Sequence, residues 1–514
     1  MARAGKALSA AAVLVCLAAV SLWPGSASGK ASPTAIDIGF ETFEPTIAGT
    51  ANGDLYFSTT PSSGVAVGWK ASIARSTDAG KTWKDVGPTL PSGHSNPPET
   101  NDPYIYADPG TGRVFTFHMG PILTCSIMSF SDDQGKTWLT NPKGCSPTAV
   151  WDHQTMVAAK SRGTSTFGYP NVLHQCVNAI YAAMCATSLD GGLTWGPSVP
   201  AYLNEGPGQT GETCGAQHGH LAAGPDGKVY LPTSSCGTYP MVYISEDDGL
   251  SWRKSVIAQM ATPFVDPTVS VDSKGNLYAA FIDERGFLHY ATSRNDGRKW
   301  SKPISIGRGF TANMPVIVAG DPGKVFITYP ATNDLPKGYD TKGYLDGSPA
   351  EVIKKVSWGA NVTVSLNGLD DKPDFRTTVA TGKDPIGRGR ICTRATRCTY
   401  LIDFIEAVIG ADGRPYASFV DGCVDECAVK SSAPQISGTG VGLLVTLPNV
   451  KLCASTCWRY KPAGQSTFDL ASAMDHATSR EAWRSSFEHS YLSPKMRDLM
   501  SRAAERRIEA VLGR

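Results

Sequence analysis

One eight-residue motif returns along the chain at nearly constant spacing and restricts the possible folds more than any other feature. Its first copy, at residues 76–83, reads Ser-Thr-Asp-Ala-Gly-Lys-Thr-Trp. Further copies occupy residues 131–138, 188–195 and 245–252, with a more divergent one at 293–300. The first residues of successive copies lie 55, 57, 57 and 48 positions apart. Such a period indicates an array of similar supersecondary units.

The motif has a physical explanation as a turn. The side chain of Asp78 can hydrogen-bond backbone N–H groups of its own turn, and Gly80 supplies a positive φ. Trp83 then packs the turn onto a sheet. The motif therefore predicts a fold, and by itself it says nothing about chemistry.

The composition agrees with a turn-rich all-β protein. The 514 residues include 53 glycines and 35 prolines, and only 18% of them are charged. The formal net charge of +1 at pH 7 gives no electrostatic reason to expect nucleic acid or an anionic membrane as a partner. The length exceeds that of an ordinary single domain, as repeat folds commonly do.

The N-terminal segment has the pattern of a secretory signal peptide. Arg3 and Lys6 precede a mainly apolar stretch at residues 7–22, and small residues follow at 26–29. The stretch is short for a bilayer span. We therefore expect a signal peptide over residues 1–29, a secreted extracellular protein and no membrane span after cleavage. An uncleaved anchor is the alternative.

Twelve cysteines remain after residue 29. An even count in an exported chain predicts disulfides between sequence neighbours, with Cys214–Cys236 as the most informative pair. The last four cysteines leave two alternatives open, another pairing order or a tetrathiolate zinc site. These four are Cys423, Cys427, Cys453 and Cys457.

A second repeat lies between the turn motifs. Residues 44–56, 218–230, 266–278 and 314–326 each combine an apolar strand, a turn containing glycine and a second strand that ends at an aromatic residue. Looser copies begin at positions 102, 152 and 406, which makes seven hairpins. Each hairpin leads to a strand, a turn motif and another strand. Four strands repeated radially form a propeller, in which few sheet edges are exposed.

The seventh unit has no obvious fourth strand, and the N-terminal residues supply a candidate. Residues 35–45 resemble 303–315, a fourth strand that leads into the next unit. We therefore expect an all-β, seven-bladed β-propeller of four-stranded antiparallel blades, spanning residues 36–450 and closed by the N-terminal strand. Six or eight blades are the alternatives.

Residues 460–514 predict a helical C-terminal extension. Ser493 and Pro494 suit an N-cap and a first helical turn, and an apolar stripe follows them. We expect this tail to pack on the propeller of a monomer. A dimerisation helix or a surface-anchoring helix is the alternative.

The topology places one residue from each unit around a central mouth. The turn motif joins the third and fourth strands of a unit, so the connections between units lie on the opposite face, where the innermost strands begin. The residues at those positions are Glu44, Asp102, Asp152, His218, Asp266, Met314 and Glu406, with His153 and His220 beside them. As structural residues, these acids would hydrogen-bond the neighbouring blade.

The same cluster suits acid–base chemistry. Neighbouring carboxylates shift one another's pKa values, so that some serve as acids and others as bases. Adjacent histidines can move protons or bind a divalent cation. No cofactor is required by the sequence, and a divalent cation at the central mouth is the one option that it leaves open.

An arginine-rich segment belongs to the same face. Arg388, Arg390 and Arg394 stand in a segment that contains Cys392 and Cys398, and a disulfide could stiffen it. Guanidinium groups offer a bidentate fork to a carboxylate or sulfate. These arginines are therefore candidates for substrate binding, with a solvated loop as the structural alternative.

The turn motif is the Asp box, the bacterial neuraminidase repeat, and over residues 36–450 the chain resembles secreted sialidase-like propellers. The resemblance implies a carbohydrate or glycoconjugate as the ligand. Asp boxes also occur in other glycosidases, in polysaccharide lyases and in non-enzymatic propellers. Sialidases carry an Arg-Ile-Pro motif near the first blade, whereas this chain has Phe43-Glu44-Pro45-Thr46 there and no Arg-Ile-Pro anywhere. Sialic acid cleavage is therefore not expected.

Three functions follow from the mouth residues. A secreted glycoside hydrolase would use one carboxyl group to protonate the leaving oxygen and another as base or nucleophile. A propeller-type polysaccharide lyase would use a histidine or tyrosine base and the arginine-rich segment. A non-catalytic glycan- or protein-binding propeller would use the carboxylates only for structure. The hydrolase candidates are Asp102, Asp152, Asp266, Glu406, His153 and His218 for catalysis, and Glu44, Tyr104, His220 and the three arginines for substrate binding.

Overall fold

The repeats form seven antiparallel sheets, each with four strands in its main hydrogen-bonded order. The computed structural model describes residues 32–60, 69–89, 98–100, 102–119, 126–141, 152–178, 182–203, 218–234, 239–262, 266–307, 315–332, 334, 356–388, 405–424, 426–429, 440–454, 457 and 459. These residues form 31 strands and one short helix. The predicted seven-bladed, all-β propeller is confirmed.

Strands are numbered in chain order, beginning with β1 (Thr34–Thr42). Blade 1 contains β2 (Ile47–Gly49), β3 (Leu55–Thr59), β5 (Ser72–Ser76) and β6 (Lys84–Gly87), and a short ladder pairs β4 (Trp69–Lys70) with β7 (Glu99–Thr100). Blade 2 contains β8 (Tyr104–Ala107), β9 (Val114–Met119), β10 (Ser126–Ser131) and β11 (Leu139–Asn141). Blade 3 contains β12 (Asp152–Lys160), β13 (Asn171–Asn178), β14 (Ala182–Ser188) and β15 (Val199–Leu203).

The remaining blades follow the same order. Blade 4 contains β16 (Ala222–Ala223), β17 (Val229–Thr233), β18 (Met241–Ser245) and β19 (Arg253–Val256). Blade 5 contains β20 (Thr268–Val271), β21 (Leu277–Ile282), β22 (Leu288–Ser293) and β23 (Ile304–Ser305). Blade 6 contains β24 (Val316–Ala319), β25 (Val325–Ala331), β26 (Ser357–Ser365) and β27 (Arg376–Val379), with β28 (Gly387–Arg388) added to β26. Blade 7 contains β29 (Glu406–Ile409), β30 (Pro415–Asp421) and β31 (Gly440–Thr446), and the helix α1 is Glu426–Val429.

The N-terminal strand closes the ring. β1 pairs antiparallel with β31, from Thr34 opposite Thr446 to Thr42 opposite Gly440. The strand order β1-β31-β30-β29 makes β1 the outer strand of blade 7. The fourth strand that the seventh repeat lacks is therefore supplied from the other end of the chain, as predicted.

The core lies between neighbouring blades. One buried cluster joins Tyr278 and Ala280 of blade 5 to Ile317 and Ile327 of blade 6. Removal of these apolar side chains from water stabilises the ring by about 25 cal/mol for each Å² buried. The stability of each blade therefore depends on apolar contacts with the two blades beside it.

The Asp-box turns have the geometry that the sequence predicts. Asp78 Oδ1 accepts the N–H of Thr82 at 2.9 Å, and Gly80 has a φ of 88°. The tryptophan of a turn reaches the preceding blade, since Trp138 Nε1 of blade 2 donates to Val86 O of blade 1 at 2.8 Å. Each such turn therefore both ends its own hairpin and contacts the neighbouring blade.

Three disulfides lie among the described residues, and each joins sequence neighbours. They are Cys176–Cys185, Cys423–Cys427 and Cys453–Cys457. The zinc site and the other pairing order considered for the last four cysteines are wrong, because their sulfurs are bonded within these pairs.

Four expectations fall on residues that are not described. They are the Cys214–Cys236 pair, the signal peptide at 1–29, the helical extension at 460–514 and the disulfide in the segment with Cys392 and Cys398. Within the described ranges, no helix has the length and apolar character needed to cross a membrane.

Replacing Asp190 by alanine tests the stabilising role of an Asp box. Asp190 is buried, and its Oδ1 accepts Ser188 Oγ and Thr194 N, both at 2.8 Å. Its loss leaves the partly buried N–H group of Thr194 and the Ser188 hydroxyl without their acceptor, so we expect the free energy of unfolding to fall by about 1–3 kcal/mol. Denaturant unfolding measures the change. The exposed Asp371→Ala is the matched control, and equal midpoints for the two variants would contradict the prediction.

Candidate active site

Four inner strands are tied to the next blade by a side-chain hydroxyl at the same depth in the ring. Each hydroxyl accepts a backbone N–H group of the following inner strand, at 2.8–3.4 Å. We call this level the hydroxyl layer. The hydroxyl residues and the residues whose N–H groups they accept are Thr46 and Ile105, Tyr104 and Met156, Thr155 and Leu221, and Thr268 and Ile317.

Blades 4 and 7 hold His220 and Glu406 at this level. The N–H of Glu406 donates to Ser418 Oγ at 3.1 Å, as that of Thr46 donates to Ser58 Oγ at 2.8 Å, which establishes the register. His220 Nδ1 and Glu406 Oε2 form a hydrogen bond. Since the two blades are three positions apart in a ring of seven, this bond crosses the propeller axis.

The His220–Glu406 pair is partly buried, with 14% and 17% of the two side chains exposed. Glu406 Oε1 also accepts the N–H of Ala407 at 2.9 Å, and the Tyr104 ring meets His220 edge-on at 5.3 Å. Burial, followed by the charge of Glu406, raises the pKa of Tyr104. Its hydroxyl therefore stays protonated, and it donates to Met156 O at 3.3 Å.

A second histidine–carboxylate pair lies two residues closer to the mouth along the inner strands. His153 Nε2 is 3.1 Å from Asp266 Oδ2. The centroid of the His153 ring is 5.9 Å from that of His218 and 6.2 Å from that of His220. Burial, aided by the two neighbouring histidines, holds the pKa of His153 well below its usual value, and burial lowers that of His218 to about 4. Both rings are therefore neutral near pH 7.

Two residues of the mouth have a left-handed backbone conformation. The φ angle is 43° at Glu44 and 54° at His153, and both residues are 2% exposed. Such a conformation costs about 1 kcal/mol or more in a residue other than glycine and is concentrated at functional sites. Asp102 Oδ2 accepts the N–H of His153 at 2.8 Å, which holds this conformation in place.

The structure corrects the predicted register at two ring positions. Two residues before the hydroxyl layer, blade 3 contributes His153 instead of Asp152. Glu406 lies in the hydroxyl layer itself, two residues deeper than expected. The pairing of β12 with β13 shifts between Asp152 and Thr155, and no proline precedes Glu406 to mark the strand start as Pro267 does in blade 5. Only the backbone of Asp152 is described, at the start of β12 opposite Asn178.

Arg388 makes its contacts with α1 and β26. Its guanidinium donates to Cys427 O at 2.6 Å, to Ala428 O at 3.2 Å and to Ser357 Oγ at 2.5 Å. These bonds hold α1 against the sixth blade. Arg390 and Arg394 lie outside the described residues, so the arginine contacts with substrate stay a prediction.

Metal binding is the other chemistry that the residue types at the mouth suit. Across the described ranges, no group of three or more histidine, cysteine, aspartate and glutamate side chains is arranged to hold a metal ion. The two pairs instead use their nitrogen and oxygen atoms on each other.

Behind the His220–Glu406 pair, the axial channel contains a cavity of about 340 Å³. All seven inner strands contribute to its lining, with Tyr104, His220 and Glu406 at one end. The other end reaches the Asp-box face, where Asp108 and Arg459 line it. The sequence analysis missed Arg459, because this residue follows the last repeat and carries no motif.

Acid should destabilise the protein between about pH 6.5 and 4. Burial lowers the pKa of His118 to about 3 and those of His174 and His218 to about 4, whereas the unfolded chain restores values near 6.5. The unfolded state then binds more protons than the native state, so stability falls as the pH falls through this window. Burial raises the pKa of Asp421 to about 6. In this pH window Asp421 therefore binds about one more proton in the native state than in the unfolded state, which partly offsets the loss of stability.

Thermal unfolding across this pH range measures the effect. His174 lies outside the mouth, and His174→Gln should flatten the pH dependence by about one proton. An unchanged dependence in that variant would contradict the assignment of a neutral, buried His174.

Comparison with known proteins agrees with the architecture. A family model described as a BNR repeat-like domain matches residues 178–329. No curated protein matches the chain in sequence.

Several solved structures resemble the chain at low identity. A Hadza microbial sialidase has 18% identity and a TM-score of 0.38, over 57% of this chain and 64% of that one. A Dyadobacter fermentans protein of unknown function has 15% identity and a TM-score of 0.42, over 81% and 98%. An alpha-L-arabinanase of Penicillium chrysogenum has 14% identity and a TM-score of 0.39, over 68% and 98%. The match to a BNR repeat-like domain and the five Asp-box motifs agree with the seven-bladed β-propeller.

Proposed function

We propose that the chain is a secreted glycoside hydrolase that works through carboxyl groups on the propeller axis. The observation that carries this proposal is the hydrogen bond between His220 and Glu406. These two residues occupy a level where four other blades use a hydroxyl to hold the ring together. A partly buried acid–base pair at such a level costs stability that a hydroxyl would not, which favours a chemical role.

In this proposal Glu406 is the general acid and Asp266 is the second carboxylate. Glu406 gives its proton to the leaving oxygen, and His220, which is hydrogen-bonded to it, can return a proton. His153 Nε2 lies 3.1 Å from Asp266 Oδ2, and we assign to this ring the role of orienting the Asp266 carboxyl group in the substrate complex. The distance between the two carboxyl groups in the substrate complex decides whether configuration is inverted or retained.

Asp102 and His218 act through His153. Asp102 holds the backbone of His153 through its N–H, and the His218 ring packs edge-on against the His153 ring. Both are therefore positioning residues for the Asp266 pair. Tyr104 does the same for His220 by its edge contact.

A non-catalytic glycan-binding propeller is the second candidate. Asp102, His153 and His218 are 5%, 2% and 0% exposed, and burial of this extent also suits residues that serve only the fold. The lyase alternative receives less support, because the Tyr104 hydroxyl is bonded to main-chain atoms and burial raises its pKa, which makes it a poor base.

Glu406→Gln should lower kcat/KM for a hydrolysed glycoside by about 10²–10⁴-fold, because it removes the proton donor and keeps the shape. His220→Gln should cause a smaller loss, because it removes only the hydrogen-bond partner of Glu406. The secreted protein is assayed against neutral aryl glycosides, sialosides and uronate polymers, with reducing ends and new double bonds both recorded. The exposed Asp371→Asn is the control and should keep wild-type turnover.

The outcomes separate the candidates. Reducing sugar that depends on Glu406 supports the hydrolase, whereas a double-bond product selects the lyase. Full turnover by Glu406→Gln rules out the assigned acid. Silence on every substrate, with glycan binding that survives Glu406→Gln, selects the binding propeller.

A further inference from the structure

The axial cavity has the size and walls of a small-molecule site. Its volume of about 340 Å³ falls within the range of roughly 300–1,000 Å³ found for ligand pockets. Much of its wall is aliphatic, from Ile47, Ile105, Val157, Leu221, Val269 and Ile317. The cavity extends to the Asp-box face, where the exposed Lys160 ends β12.

A strap formed by residues 447–454, 457 and 459 crosses this face after the last blade. Leu452 N donates to Gly413 O of blade 7 at 2.8 Å, and Asp321 N of blade 6 donates to Leu452 O at 2.8 Å. A Cβ atom on Gly320 would lie 2.3 Å from Leu452 O, so the strap can approach blade 6 this closely only because residue 320 is a glycine. The disulfide Cys453–Cys457 lies within the strap. The strap is therefore fixed to two blades before it reaches Arg459.

The strap holds the Arg459 guanidinium over the channel. Arg459 Nη2 donates to Val271 O at 3.1 Å and to Ser270 Oγ at 3.4 Å, both on blade 5. Burial and the charge of Asp108 raise the pKa of Tyr106 on blade 2, and the positive charge of Arg459 lowers it. Tyr106 and Asp108 of blade 2 and Ser270 of blade 5 line the cavity together with Arg459, so the positive charge lies at this end of the cavity.

The charges at this end of the cavity favour an anion. Arg459 and Lys160 are the two cations in the lining, and Asp108 is the acid beside them. The Asp108 carboxylate already accepts Tyr169 OH at 2.5 Å and Asn171 Nδ2 at 2.9 Å. Guanidinium is a planar fork that suits a carboxylate group.

We propose that the axial cavity is a second ligand site, entered from the Asp-box face, for a small carboxylate with an apolar body. The carboxylate lies at Arg459 and the apolar body lies against the aliphatic walls. A strand advances about 3.3 Å per residue, so the three steps from Glu406 to Ile409 give a depth of about 10 Å, enough for a six-carbon chain. The His220–Glu406 pair closes the inner end, which separates this site from the mouth.

Calorimetric titration with three six-carbon probes tests the site on the full chain. Hexanoate should bind, whereas hexanol, with the same chain and no charge, should bind about tenfold or more weakly, and hexylamine should not bind. Arg459→Gln should weaken hexanoate by about tenfold or more, since a charge-assisted hydrogen bond is lost. Arg298→Gln changes an exposed arginine of the blade 5 Asp box and is the matched control, with unchanged affinity expected.

A second variant keeps the test valid if Arg459→Gln does not fold. Ala222→Leu adds a larger side chain to the cavity lining and leaves Arg459 in place, so it should also remove hexanoate binding. Equal affinities for hexanoate and hexanol overturn the proposal, as does hexanoate binding that survives either variant. An absence of heat with hexanoate overturns it as well. All readouts are binding measurements, so they are independent of whether the mouth hydrolyses a glycoside.

Discussion

Seven inner strands converge on one axis, and among the described residues each of them is the edge strand of its sheet on the inner side. A buried backbone N–H group on such an edge still needs an acceptor. The hydroxyl layer supplies that acceptor in four blades and also joins each blade to the next. The ring therefore depends on a level of short polar side chains at the place where the blades come closest.

The same constraint explains why the axis is suited to a site. Side chains at the hydroxyl layer are held by the backbones of seven rigid sheets, so a group placed there needs no loop to position it. His220 and Glu406 meet across the axis although 186 residues separate them in sequence. Their geometry is set by the closure of the whole ring, which β1 completes on β31.

The fold could be predicted almost entirely from the sequence, because it follows from local patterns. The Asp box carries its own hydrogen bonds and glycine conformation, and the likeness of residues 35–45 to 303–315 indicated the closing strand before any contact was known. The kind of residue at the site could also be predicted, since the strand starts were acidic and histidine-bearing. The pairing of His220 with Glu406 could not be predicted, because a contact across the axis corresponds to no fixed spacing in the sequence.

The errors at the site have a common physical origin. The predicted ring positions of Asp152 and Glu406 came from aligning the repeats at their strand starts. The position of a residue along the axis is instead set by the hydrogen bonds that its strand makes, such as those of Thr155 and Glu406. The shift between Asp152 and Thr155 in β12 brings His153 to the ring with a φ of 54°. Arg459 could not be found by aligning repeats, because it belongs to no repeat and reaches the axis through the strap.

The His220–Glu406 hydrogen bond lies between the cavity and the mouth, and this has a thermodynamic consequence. His220 and Glu406 line the inner end of the cavity, and the His153 ring stands 6.2 Å from that of His220 on the side of the mouth. A ligand at Arg459 that favours one arrangement of this pair would change affinity at the mouth. By linkage, a ligand at the mouth would then change affinity at Arg459 by the same factor. The pair that is proposed to act as general acid and as the group that returns its proton is thus also a contact that both the mouth and the cavity share.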